Sequence, residues 1–182
     1  YSMVTEKNLK YQDIIQRNIG ILNWEEQYKI KNINIAIVDL DDQDISAILF
    51  AKIGFNKINL IDNNIVTLNK LNSQFLSTID KINHYKTAIG RDIIKTHNPF
   101  IKIDSFNISR DITVDELKAC LSHSHYCIIS TKCPYLRVVT ARAAESLGLT
   151  YVLCMDMGFK ILLAAFKPGL VNYEELTQQP SR

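Results

Sequence analysis

The chain has 182 residues, 47% of them hydrophobic, which is enough for one well-buried domain. Its net charge of +2 gives no global attraction to nucleic acid or to an anionic membrane. No apolar run approaches the roughly 20 residues that span a bilayer. The N-terminal stretch shows no secretory pattern, and the four cysteines include no CxxC pair, so the expected setting is reducing and intracellular, cytoplasmic or nuclear.

In chain order, the pattern predicts helix over Asn8 to Ile30, with an apolar face broken near Gly20 and a charged patch at Glu25 and Glu26. Ile33 to Val38 is a continuous apolar run suited to a strand buried on both faces. Ile45 to Ile53 reads as a helix that Gly54 can cap, and Lys57 to Asp62 (KINLID) as a second strand ending on an acid. A polar, turn-rich stretch follows from Asn63 to Ser77, then a helix from Tyr85 to Thr96 stopped by Asn98-Pro99. Further strands are expected at Phe100 to Phe106, Tyr126 to Ser130, Tyr151 to Cys154 and Ile161 to Phe166. Helices are expected at Val114 to Leu121 and Leu136 to Leu147, with a polar tail over residues 170–182. Alternating strands and helices imply right-handed crossovers and a mainly parallel α/β sheet with helices on both faces.

The stretch IVDLDDQDIS is the first candidate site. A strand running through a tight turn into a helix is where a nucleotide-binding α/β domain places glycines. Here the turn holds Asp39, Asp41, Asp42 and Asp44. An EF-hand is excluded, because its sixth-position glycine falls on Asp44 and its twelfth-position glutamate on Phe50. A looser divalent-cation site on clustered carboxylates remains open.

The segment QRNIGILNWEEQYKIKNINIAIV, followed by LIDNNIVTLNKLNSQFL, HYK and NPFI, resembles the ThiF/MoeB superfamily over roughly Tyr11 to Gly169. That superfamily includes the adenylation halves of the enzymes that activate ubiquitin-like proteins. The resemblance implies a Rossmann-like, ThiF/MoeB-type fold over a single domain, 1–182, with an N-terminal helical segment at 1–31. It also implies an ATP site at the end of the first strand. There the C-terminal carboxylate of a small protein attacks the α-phosphorus.

Set against the family pattern, the site is depleted. The glycines of the phosphate turn fall on Asp39, Asp41, Asp42 and Asp44, whose side chains would block and repel a triphosphate. One like-charged pair at ~4 Å costs about 1 to 4 kcal/mol. Asp62 stands where the ribose-binding acid is expected; its other reading is a solvated strand-end carboxylate. In Lys70-Leu71-Asn72-Ser73-Gln74-Phe75 the glutamine is kept as Gln74, while the phosphate-binding arginine has become Ser73. Lys86 matches a retained family lysine, although an ordinary exposed lysine is the expectation here. The Mg²⁺-coordinating aspartate falls on Lys132, which repels a cation. Arg17 aligns with the arginine that these dimers donate to the neighbouring subunit; its other reading is a surface arginine on a helix.

Cys120, His123, His125 and Cys127 have metal-ligand types, but their spacing is not a zinc pattern and Cys127 sits on an expected buried strand. No metal is assigned. The two CxxC pairs that often follow the last strand in family enzymes are absent, so a fragment or shortened homologue is expected. The resemblance therefore implies a catalytically degenerate subunit, like the smaller subunits of the SUMO- and NEDD8-activating enzymes. Such a subunit has no ATP in the usual pose and pairs with an active partner that holds ATP and Mg²⁺ and handles the ubiquitin-like protein. Two alternatives stand beside it: an active bacterial ThiF-type adenylyltransferase, and a pure interaction module.

Overall fold

The run around β1 (Asn34–Val38) organises the molecule, because its side chains alternate between two separate cores. Ile35 and Ile37 face one side of the sheet with Ile58 and Leu60, and pack against Ala47, Ala51 and Ile94. Ala36 and Val38 face the other side with Ile61, Cys127 and Ile129, and pack against Leu117, Leu121 and Ala143. A strand buried on both faces has no polar side to alternate with, which is why the sequence reads as an unbroken apolar run. Each fully buried Ile or Leu contributes roughly 1.5 to 3 kcal/mol.

The computed structural model describes residues 8–41, 44–156 and 158–178. Six strands form one sheet in the order β3-β2-β1-β4-β5-β6. They are β1, β2 (Lys57–Asp62), β3 (Lys102–Asn107), β4 (Tyr126–Ile129), β5 (Thr150–Asp156) and β6 (Ile161–Phe166). All neighbours are parallel except β5 and β6, which form an antiparallel pair at one edge. Numbering the helices along the chain, α1 is Tyr11–Ile15, α2 Trp24–Lys31, α3 Asp44–Ile53 and α4 Lys86–His97. Then come α5 (Val114–Leu121), α6 (Pro134–Ser146) and α7 (Tyr173–Thr177). α3 and α4 cover one face, α5 and α6 the other, so the Rossmann-like expectation holds. Among the described residues no helix is long and apolar enough to cross a membrane.

Two expectations change. The N-terminal segment is not one helix: α1 continues into a 3₁₀ turn at Gln16–Asn18, and Gly20 at φ +117° breaks the path before α2. The Glu25–Glu26 patch belongs to the start of α2, where Asn23 and Glu26 cap each other reciprocally (2.8 and 2.9 Å). The described part of the polar tail, residues 170–178, also carries a helix. Tyr173, at the start of α7, is only 2% exposed and packs edge-on against Phe166. Its N–H donates to the Tyr151 hydroxyl (3.0 Å), and Arg142 grips Glu174 through two N–H groups (2.8 and 2.6 Å). Polarity misled here because the capping Asn172–Glu175 pair and a forked Arg–Glu contact are polar features of a docked helix.

The N-terminal segment is stapled to the end of α3. The amide groups of Asn18 and Gln27 both donate to Ile53 O (3.0 and 2.8 Å), and the Tyr11 hydroxyl donates to Gly54 O (2.7 Å). These bonds satisfy carbonyls that a helix end leaves open. Gly54 has φ +105°, and a Cβ there would lie 2.6 Å from Tyr11 Oη and 2.7 Å from Ile15 Cγ2. Gly54→Ala should therefore lower unfolding stability by more than about 2 kcal/mol, through both the disfavoured φ and the clash. Urea denaturation checks this; a change within about 0.5 kcal/mol would mean the segment does not dock as described.

Candidate functional site

The site lies beyond the C-terminal ends of β1, β2, β3 and β4, where the sheet order reverses between β1 and β4. Open α/β sheets bind ligands in that crevice. At the end of β1, Asp39 takes φ +70°, the left-handed region that favours glycine. The backbone demand that glycine usually meets thus persists, with an aspartate meeting it. Asp tolerates this region because its short side chain bonds locally, and here Asp39 Oδ1 accepts from Asp41 N–H (3.0 Å).

Asp41 does not project as a free repulsive charge. Its carboxylate pairs with Lys86, accepts from Lys70 Nζ (2.8 Å) and accepts from Gln74 Nε2 (2.8 Å). Gln74 is itself oriented by Ser77, whose hydroxyl donates to Gln74 Oε1 (2.8 Å). Asp44, buried at the start of α3, accepts from Leu76 N–H (3.0 Å) and so ties the long crossover segment to that helix. Asp42 lies outside the described residues.

Lys86 corrects an expectation. It is 5% exposed, not a surface lysine, because the first turn of α4 sits against the acidic turn and Asp41 accompanies its charge into the interior. Burial holds its ammonium below the ordinary lysine value, and the Asp39 carboxylate works against that shift. Lys70, first in the matched Lys70–Phe75 motif, had no role assigned from the sequence. It stands four positions before Gln74 at the end of a 3₁₀ turn, and both reach Asp41 from a segment with no α-helical periodicity to mark them. Ser73 is exposed and donates only to Lys70 O (3.2 Å).

Asp62 also departs from expectation, since at 1% exposure it is no solvated strand-end carboxylate. Its two oxygens accept from Leu40 N–H (2.8 Å) and Asn64 N–H (2.7 Å), which ties the ends of β1 and β2 together. Burial pushes its pKa up to about 7; the charge of Asp39 adds to this, and the backbone N–H groups oppose it. One oxygen from each of Asp39, Asp41 and Asp62 lies within 4.8 Å of the others. A cation seated there would compete with Lys70 and Lys86 for Asp41.

Beside these acids opens a cleft of about 270 Å³, lined by Asp39, Asn64, Ser109, Arg110, Thr131 and Cys133 among others. Lys132 is exposed on the loop between β4 and α6, which Thr131 shapes by accepting from Cys133 N–H (3.1 Å). Arg17 lies far along the chain on the exposed 3₁₀ turn and makes no ion pair among the described residues. The structure thus gathers Asp39, Asp41, Asp62, Gln74 and Lys86 and adds Lys70. The Cys120–Cys127 group does not converge: Cys127 is buried in β4 with its thiol pushed up to about 12, and His125 Nδ1 accepts from Asn34 N–H (3.0 Å).

The model of the ThiF family matches residues 15–160. The adenylyltransferase and sulfurtransferase UBA4 of Vanderwaltozyma polyspora is 24% identical over 148 residues, covering 81% of this chain and 33% of that protein. The Saccharomyces cerevisiae protein of the same name is 24% identical over 163 residues, covering 87% and 36%. The chain thus spans about a third of the length of the curated relatives it matches. Among solved structures, E. coli MccB with ATP superposes at a TM-score of 0.74 with 19% identity, covering 81% of this chain and 44% of that one. E. coli tRNA N6-threonylcarbamoyladenosine dehydratase, TcdA, superposes at 0.72 with 15% identity, covering 83% and 62%. These superpositions speak to the fold alone.

Because Asp62 titrates near 7 when folded, the native chain keeps a proton that the unfolded chain releases near pH 4. Folding stability contributed by this group therefore falls as pH rises from about 4 to about 7, and is level above that. Asp62→Asn cannot ionise and should flatten the fall, a change on the order of 4 kcal/mol at most. Urea unfolding across that window measures it; an unaltered slope would show that Asp62 titrates as an ordinary acid.

Proposed function

The chain belongs to the ThiF family, and from that premise we propose that it is a degenerate adenylation-type subunit. In this reading it does not adenylate alone. It pairs with an active family member, completes that partner's ATP site with Arg17, and through the partner serves the activation of a ubiquitin-like protein of the SUMO or NEDD8 kind. ATP and Mg²⁺ are held at the partner's site.

One observation carries this reading. The cations at the acidic turn, Lys86 and Lys70, are already engaged by the chain's own Asp41. A triphosphate entering in the usual pose would have to displace that carboxylate and then lie against Asp39 as well. Adenylation also needs a cation beside the reacting phosphate, and the exposed ammonium of Lys132 at the end of β4 opposes one. By contrast, Arg17 is presented to solvent on a turn whose next residue, Asn18, is tied to Ile53 O and Gln27. A permanently charged, planar group held out on a fixed turn suits a phosphate in a neighbouring subunit.

The second reading, an adenylyltransferase active in its own right, is favoured by the open cleft at the strand ends, large enough to take part of a nucleoside. ATP–pyrophosphate exchange separates the two. The isolated chain is expected to exchange at background. With an active family member present, Arg17→Ala should slow exchange at least about tenfold, since one transition-state cation is worth two or more orders of magnitude in related chemistry, while co-elution is unchanged. Exchange by the chain alone supports the second reading, and a partner rate indifferent to Arg17→Ala overturns the first.

A further inference from the structure

We propose that Arg137 is a positioning residue: it joins the docked C-terminal helix α7 to the wall of the cleft, so that releasing α7 loosens the loop after β4. This coupling holds whether or not the chain adenylates anything, and so stands apart from the reading above.

The loop needs a brace from outside. Thr131 is 2% exposed and lines the cleft, yet it lies past the end of β4 and before the first residue of α6. A buried carbonyl outside both regular elements must find a partner elsewhere. Arg137 supplies one, reaching back from α6 to donate from Nη2 to Thr131 O (2.8 Å). On the same guanidinium, Nη1 donates to the Tyr173 hydroxyl (3.3 Å). Tyr173 is 2% exposed, and this is the one bond its hydroxyl makes among the described residues.

The two acceptors hang on one rigid plane, so a shift at one end turns the donor at the other. No charge partner fixes that plane. Among the described residues Arg137 pairs with no carboxylate, and its Nε–H is buried without an acceptor. A guanidinium placed for its own satisfaction would meet that N–H as well. This one is set by its two ends.

Behind Tyr173, α7 is locked to the body by groups that do not line the cleft. The Tyr173 N–H bonds the Tyr151 hydroxyl, which donates to Glu145 Oε1 (2.6 Å). The Tyr173 ring meets Phe166 edge-on, and Arg142 holds Glu174. At the other end, α6 braces a second part of the cleft, since the Tyr135 hydroxyl donates to Ile112 O (3.0 Å) in the segment that carries Ser109 and Arg110. Docking of α7 and the shape of the cleft are thus one connected arrangement. A partner that drew α7 away would act on the cleft without entering it.

The test is amide hydrogen exchange of the full chain, read by NMR at Cys133, whose N–H bonds Thr131 Oγ1, with the amides of α3 as the reference for global change. Tyr173→Phe keeps the packed ring and removes only the acceptor; it should speed exchange at Cys133 at least about fivefold. Arg137→Met should speed it at least about tenfold. Arg137→Lys, whose single ammonium cannot hold both acceptors, should fall between wild type and Arg137→Met. In the Arg137→Met background, Tyr173→Phe should have no further effect, because residues that act through one another do not add. Two merely structural residues would add. The proposal is overturned if Tyr173→Phe leaves Cys133 unchanged relative to α3, or if its effect persists in full beside Arg137→Met. Should Arg137→Met fail to fold, the same comparison in Arg137→Lys decides, and a full effect of Tyr173→Phe there overturns the proposal equally.

Discussion

The chain must leave β1, turn and enter α3 within a few residues, directly over the open ends of the strands. Where glycine would permit such a turn, carboxylates hold it. Asp39 takes the left-handed conformation and bonds Asp41 N–H; Asp62 reaches across from β2 to bond Leu40 N–H; Asp44 reaches from α3 to bond Leu76 N–H. The first two bonds answer backbone N–H groups of the turn itself and the third one in the crossover segment, and an unmet buried donor costs about 1 to 3 kcal/mol. The crevice, the docking of the crossover segment and the burial of Lys86 all follow from this turn being held.

Holding a turn with acids has an electrostatic consequence. Three carboxylates within 4.8 Å repel one another, and the structure relieves that in two ways. Asp41 is neutralised by lysines, while Asp62, buried and beside the charge of Asp39, moves toward the protonated form. The same chemistry thus receives opposite treatments about one side chain apart. Breaking a buried pair of the Asp41–Lys86 kind leaves a bare charge inside, typically at about 3 to 5 kcal/mol. The turn is therefore a committed arrangement, held by its own charges.

Most of the fold was legible in the residues. KINLID and VDELKACL match β2 and α5 to the residue, because each is bounded by strong signals: a strand-ending acid in one case, a Thr113–Glu116 capping box in the other. The acidic turn was also legible as a departure from a glycine turn, and Asp39 there takes the left-handed conformation that glycine favours. What was not legible is long-range pairing. Nothing local distinguishes Lys86 from a surface lysine or Asp62 from a solvated acid; both are buried because of groups 22 to 45 positions away in the chain. The pairing of Lys70 escaped notice for the same reason, and α7 because its polar residues spend their polarity on caps and on Arg142.

The helix α3 joins two regions that have been described separately. Its first residue, Asp44, is anchored beside the acidic turn, and its last, Ile53, receives the amides of Asn18 and Gln27 next to Arg17. Ten residues of α-helix make a strut about 15 Å long. The position of Arg17 is thus inherited, through a stiff rod, from the geometry at the far end. Whatever the turn itself binds, it is not free to drift, because the footing of the strut would move and the arginine with it. The turn is thus constrained from two ends of the molecule at once.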